Sequence, residues 1–207
     1  MPQSDGKTTN SIYKVSSGFV EMDEFGKVRI DMESIKKKSS ADNFVEFVFR
    51  QKKEDKGFRA DFRHAQSPAQ ASRAWPYIVP FADIQREIVR TAYVLIGASI
   101  CWEDAEFNGK CGIGTALRKA WSDQERDLDD PASPAVVRLR KLVASTDALG
   151  LCLQLRPLLS LIRSKGIHDL DYARLLKDIL YFDRDPDAVK ARWISEFYAK
   201  PSEKTED

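Results

Sequence analysis

The sequence predicts an all-α fold, a compact bundle of short and medium helices with an N-terminal extension. Three observations carry this: apolar residues recur at helical spacing after residue 41, Asp and Pro sit where helices begin, and no later segment reads better as a strand. The 207 residues are 43% apolar. That suits one globular domain with an appendage and excludes a disordered chain.

Residues 1–40 differ from the rest. They are polar at first, then alternate over Gly18–Met22 and Gly26–Ile30, a pattern suited to a small hairpin. Residues 36–42 read as a linker ending in a helix N-cap. Phe44, Val45, Phe47, Val48 and Phe49 then crowd a short helix with a charged tail that stops at Gly57, and residues 58–65 form another, stopped by Ser67 and Pro68. Trp75–Pro80 is a rigid apolar connector, because proline fixes the backbone and removes a donor. The clearest long helix covers 82–102. Ile84, Ile88, Ala92, Leu95 and Ser99 recur along one face, Asp83, Arg86, Glu87 and Arg90 fall on the opposite edge, and the second half is apolar all round, as for a helix through a bundle centre.

A helix from about Ile113 to Trp121 follows, then the acidic loop Asp123–Pro134, with five carboxylates in eight residues. Helices at about 134–146, 149–164, 169–182 and 186–199 complete the body. Asp169 and Asp185 stand at N-caps and Pro186 at a first helical position, while Pro157 kinks its helix unless that helix begins late. The expected organisation is an extension (1–40), a helical domain (41–200) and a polar tail (201–207).

Several classes are disfavoured. The longest apolar-or-small run, Ala92–Trp102, is far short of the roughly 20 residues that cross a bilayer. No signal-peptide core occupies the first thirty residues, so a cytoplasmic protein without membrane contact is expected. Cys101, Cys111 and Cys152 are odd in number and form no C-x-x-C pair, which points to reduced thiols and no structural zinc. His64 and His168 stand in no nucleophile or metal motif, and Gly109–Thr115 lacks the order of a phosphate loop and a preceding strand. The four tryptophans, Trp75, Trp102, Trp121 and Trp193, are spaced as core anchors. No cofactor, metal or small-molecule substrate is expected.

The net charge of +1 hides a divided field. Residues 50–73 carry seven basic side chains against three acidic, and residues 131–168 carry six against Asp147 alone. Residues 74–130 and 169–207 are net acidic. On a helical wheel, 134–146 separates into a greasy half and a cationic half bearing Arg138, Arg140 and Lys141, with no acid to pair them. The next helix places Arg156, Ser160 and Arg163 within about 60° of one another. In the third basic element, Lys52–His64, Arg59 and Arg63 lie one turn apart on one face, a spacing suited to phosphate oxygens. Unpaired cations on adjacent helices suit a polyanion. Solvated faces, neutralised by the acidic loop or by Asp55 and Asp61, fit the same pattern.

The order of motifs resembles the CasB family, the small subunit of the type I-E CRISPR Cascade surveillance complex. The likeness runs from about residue 44 to 199. It is carried by Asp55-x-Gly57-x-x-Ala60-x-x-Arg63, then Pro68, Trp75 and Pro80, Gly112-Ile113-Gly114-x-Ala116-Leu117, Arg138-x-x-x-Leu142 and Gln154-Leu155-Arg156-x-Leu158-Leu159. Gly166, Leu170-Asp171-Tyr172, Leu175-Leu176 and Val189-x-x-x-Trp193-x-x-x-Phe197-Tyr198 close the pattern.

The resemblance implies an all-helical, non-catalytic subunit of a crRNA-guided ribonucleoprotein with backbone and large subunits. In it two copies line the belly and help hold the crRNA–target heteroduplex and the displaced non-target DNA strand. Arg63, Arg138 and Arg156 match basic positions of the family pattern. His64 stands where a second arginine is common, Pro157 where another basic residue is frequent, and Phe62 replaces a leucine; the first forty residues have no counterpart. The nucleic-acid-binding set expected is Arg59, Arg63, Arg90, Arg138, Arg140, Lys141, Arg156 and Arg163. The alternatives are a helical adaptor whose basic faces dock acidic proteins and, less favoured, a metal-using enzyme built on the acidic loop.

Overall fold

The computed structural model describes residues 38–122 and 127–199, and the backbone of three short strands before them. The chain divides into two compact units, Met1–Lys38 and Ser39–Asp207. In the first, β1 (Ile12–Val15), β2 (Gly18–Met22) and β3 (Val28–Ile30) form an antiparallel sheet in that order, with Val20 opposite both Tyr13 and Ile30. The hairpin expected from residues 18–30 is β2–β3, and β1 extends it. Expectations placed on residues 123–126 and on the tail 201–207 fall outside the described residues.

The second unit is helical. Helix α1 (Ser40–Glu54) opens on a capping box in which Ser39 and Asp42 satisfy each other's backbone donors. It ends at Asp55, which also caps α2 (Lys56–Ala65) by accepting from the Phe58 amide at 3.0 Å. The rigid apolar connector expected at Trp75–Pro80 is itself helical at its start: a 3-10 stretch, Pro68–Ala74, leads into α3 (Trp75–Ile78). Pro76 lies in a first turn, where no amide donor is needed.

Helix α4 (Glu87–Trp102) starts later than the apolar spacing suggests. The Asp83 carboxylate accepts from the Gln85 amide, and Arg90 donates to the carbonyls of Ile84 and Gln85, so side chains take the backbone groups that an earlier turn would have used. Residues 92–101 are all buried, and α4 packs on α1, α2, α3, α7 (Ala148–Ser164) and α8 (Tyr172–Tyr181). The bundle is thus threaded by its most apolar helix.

Helix α5 (Ile113–Lys119) begins at Gly112, and α6 (Pro134–Val143) is capped by Ser133. Helix α7 is unbroken through Pro157, which is exposed, as is Leu153, the residue whose carbonyl loses its partner there. The cap of α8 is Asp171, not Asp169. The Asp169 carboxylate instead pairs with Lys119 at 2.9 Å, and its carbonyl accepts from the Cys111 amide, tying the loop before α8 to the loop before α5. Helix α9 (Pro186–Tyr198) begins as expected, with Asp185 as cap and Pro186 in its first turn.

Val189, Trp193 and Phe197 form a fully buried stripe on α9. Trp193 donates its indole N–H to Asp178 at 2.7 Å, and Arg192 also reaches that carboxylate. Helix α5 approaches α9 so closely that a Cβ on Gly114 would lie 2.1 Å from the Trp193 carbonyl oxygen. Gly114→Ala is therefore expected to cost about 2–3 kcal/mol by overpacking, lowering Tm by about 4–12 °C in a thermal melt. An unchanged Tm would show that the helices are not in this contact.

Burial pushes the thiols of Cys101 and Cys152 up to about 12 and that of Cys111 to about 11, so all three are neutral at physiological pH. Among the described residues no helix is long and apolar enough to cross a membrane, and no group of His, Cys, Asp and Glu could hold a metal ion.

Candidate nucleic-acid interface

The candidate site is organised by the C-terminal end of α4, whose last carbonyls lack helical partners. Lys52 answers this from α1. Its ammonium is buried and donates to the carbonyls of Ile100 (3.2 Å), Glu103 (2.9 Å) and Ala105 (2.7 Å). From α2, Arg59 and Arg63 both donate Nε to the Cys101 carbonyl, at 3.1 and 2.9 Å. The Nη groups of both forks have no protein partner among the described residues.

Trp102 follows directly and is 39% exposed. The Arg63 guanidinium lies 4.4 Å from its ring centroid, and that of Arg163, from α7, lies at 5.9 Å. Lys56, Arg59, Ala60, Arg63, His64 and Trp102 line an open cleft of about 500 Å³. No carboxylate lines it. Desolvation and the adjacent Arg59 and Arg163 cations hold the pKa of Arg63 below the ordinary arginine value, against the pull of Cys101 and Asp104. Arginine stays charged under such shifts, so an incoming anion relieves the crowding.

The cationic surface continues along α7. Arg156 is half-buried and donates to the carbonyl of Gln66, the residue that ends α2, at 2.6 Å. It shares a groove with Arg90, Trp75, Leu149 and Leu153. Arg90 is largely engaged there, by the carbonyls that delay α4 and by Glu87 at 4.0 Å.

The α6 cations lie elsewhere. Arg138 and Lys141 are exposed and frame a small crevice with Gln154, Pro157 and Leu158 of α7. At 100° per residue those α7 positions average about 150° from Arg156 around the helix axis. Arg138 and Lys141 therefore occupy the opposite flank of α7 from Arg156 and Arg163. Arg140 donates to the Pro131 carbonyl at 3.2 Å. Apart from Arg140, which turns to Pro131, the expected residues thus fall into two cationic groups on opposite flanks of α7. None of Arg59, Arg63, Arg138, Arg140, Lys141, Arg156 and Arg163 has an ion-pair partner among the described residues; in the acidic loop, Asp127 and Asp130 accept backbone amides of their own turn.

Two sequence expectations change. Trp102 is no core anchor, because the chain leaves the helix there and Lys52 secures the turn; Trp121 and Trp193 are buried as anchors should be. Lys52 is not a surface cation. His168, without a partner in local spacing, meets the buried Glu103 at 2.5 Å, and Tyr172 donates to the same carboxylate at 3.2 Å. No spacing rule reaches across such separations.

Comparison with known proteins bears on this arrangement. The family profile described as CRISPR-associated protein Cse2 matches residues 58–198. The chain belongs to the Cse2 family. A curated relative, the CRISPR-associated protein Cse2 of Thermus thermophilus, is 28% identical over 145 residues, which is 68% of this chain and 78% of the relative. The crystal structure of CasB from Thermus thermophilus superposes with a TM-score of 0.62 at 26% identity, covering 79% of this chain and all of that one. A chain of a CRISPR RNA-guided surveillance complex shares the fold at a TM-score of 0.61 and 19% identity, over 76% of this chain and 91% of that one.

Most motifs behind the Cse2 likeness are joints of the bundle. Asp55 caps α2, Gly112 and Gly114 seat α5 against α9, Asp171 caps α8, and Val189, Trp193 and Phe197 fill the core. Of its basic positions, Arg63 and Arg156 fall on one flank of α7 and Arg138 on the other.

Proposed function

We propose that this protein is the non-catalytic small subunit of a type I-E CRISPR surveillance complex. It holds nucleic acid through phosphates, without reading sequence, beside the crRNA-bearing backbone, the large subunit and a second copy of itself. The observation that carries this is the convergence of Arg59, Arg63 and Trp102 on one cleft with no carboxylate in its lining, with the Arg163 guanidinium 5.9 Å from the same indole. Kinship with Cse2 proteins supports the assembly, and the solved surveillance-complex chain with this fold supports the setting. An R-loop exchanges one duplex for another of similar stability, so modest backbone contacts suffice to tip it. Two cationic surfaces separated by α7 suit two strands held apart, the heteroduplex against Arg138 and Lys141 and the displaced strand against the Trp102 flank.

The test is the salt dependence of binding to single-stranded DNA by the full chain. With three to five phosphates engaged, log K is expected to fall against log salt with a slope of about −2 to −4. A slope near zero would sink the proposal and favour the adaptor reading, in which the same arginines meet acidic protein.

A further inference from the structure

We infer that the cleft at Trp102 is a site for an unpaired nucleobase, stacked on the exposed indole while Arg59, Arg63 and Arg163 hold the flanking phosphates. This rests on the reading of the chain as a nucleic-acid-binding subunit and narrows it: this flank takes a single strand and discriminates against duplex.

The position of Trp102 is the first support. The ten residues before it in α4 are all buried, whereas Trp102, the largest side chain of the helix, is left 39% exposed at its tip. Lys52, Arg59 and Arg63 fix the carbonyls around it, so the ring is held out by a built structure and not by fraying. The lining is the second. Beside one alanine it offers a single flat apolar surface, surrounded by Lys56, His64 and guanidinium groups. An apolar peptide would find one ring in a cationic field, and a bare polyphosphate would leave the ring unused. A ligand with flat aromatic units along a polyanionic backbone uses both. In a duplex the bases already stack on one another; in a single strand their faces are free.

The side chains over the indole are themselves suited to a stacked base. Arg63 packs on the indole at 4.4 Å, while Arg163 stands further off at 5.9 Å, on a long side chain with no carboxylate to hold it among the described residues. The guanidinium planes can cover the base as well as grip the phosphates.

The experiment uses the full chain, an oligothymidylate of about 20 nucleotides, an abasic strand of equal length and a duplex of the same length. Trp121 and Trp193 are buried and Trp75 is half-buried, so Trp102 dominates quenching by a bound base. The oligothymidylate is expected to quench tryptophan fluorescence and to bind about tenfold more tightly than the abasic strand, with the duplex no better than the abasic strand. Trp102→Leu should remove most of the quenching and the tenfold preference, and Trp102→Phe, which keeps an aromatic ring, should retain most of the preference; a tenfold preference that survives Trp102→Leu overturns the base site. Equal affinity for thymidylate and abasic strands in the unmodified protein, falling steeply with salt, overturns the base site and leaves phosphate binding standing. Absence of salt-dependent binding to either strand overturns both readings.

Discussion

Replacing Arg59, Arg63 and Arg163 together by glutamate is expected to weaken single-strand binding by about a hundredfold near 0.1 M salt, because three cationic contacts vanish and three like charges face the phosphates. The salt slope should shrink by about 2 in the same titrations, read by fluorescence anisotropy. Glutamine at the three positions removes charge without reversing it and should give a smaller loss, about tenfold, in the same direction. The control lies across α7. Arg138→Glu with Lys141→Glu should change single-strand affinity by less than about threefold, since those side chains flank the opposite crevice. Equal losses from the two sets would show that the strand does not follow the Trp102 flank.

Lys52→Met should be the most damaging conservative change to stability. The thioether fills a similar volume, but three carbonyls at the end of α4 lose the ammonium that they share. The Ile100 carbonyl keeps the Glu103 amide as a donor, but those of Glu103 and Ala105 lose theirs, at a cost of about 3 kcal/mol in sum, a fall in Tm of about 6–12 °C. A Tm within about 2 °C of the unmodified protein would remove Lys52 from the structural argument. The pH dependence carries a second signature. Burial holds the ammonium's pKa below the ordinary 10.5, against the opposing pull of Glu103. The unfolded chain therefore binds the extra proton between the lowered value and 10.5, and stability gains with rising pH across that window. The methionine variant lacks this gain.

The fold is largely legible in the sequence because its signals are local. Asp185 with Pro186 marks a helix start by chemistry acting within one turn, and α9 begins there; α1 starts earlier than the linker expected over 36–42, because Ser39 is its cap and Asp42 completes the capping box from inside the helix. Legibility fails where a distant group decides the matter. Nothing near residue 82 says that Arg90 will fold back onto the carbonyls of Ile84 and Gln85 and postpone α4. Asp169 and Asp171 are equally good caps by type, and Lys119 claims the first.

The same limit governs the site. A helical wheel states which residues share a face, so Arg59 with Arg63 and Arg156 with Arg163 are visible as pairs, and the structure shows what meets each pair: the Cys101 carbonyl for the first, the Gln66 carbonyl and Trp102 for the second. The wheel does not state which side of α7 receives α6. Lys52 and Trp102 escape sequence reasoning on related grounds, since one is a charged residue that finds three buried acceptors and the other an apolar residue that the end of its helix holds out in water.

The single carbonyl that receives both Arg59 and Arg63 has a kinetic meaning. Each side chain is tethered at its Nε before any partner arrives, so little torsional freedom remains to be surrendered on encounter. A lysine at either place would preserve the long-range attraction, but its one nitrogen would have to serve both the carbonyl and the phosphate, where a guanidinium divides the two between Nε and Nη. Capture speed and grip are therefore separable here: the first belongs to the electric field, the second to the end of one helix.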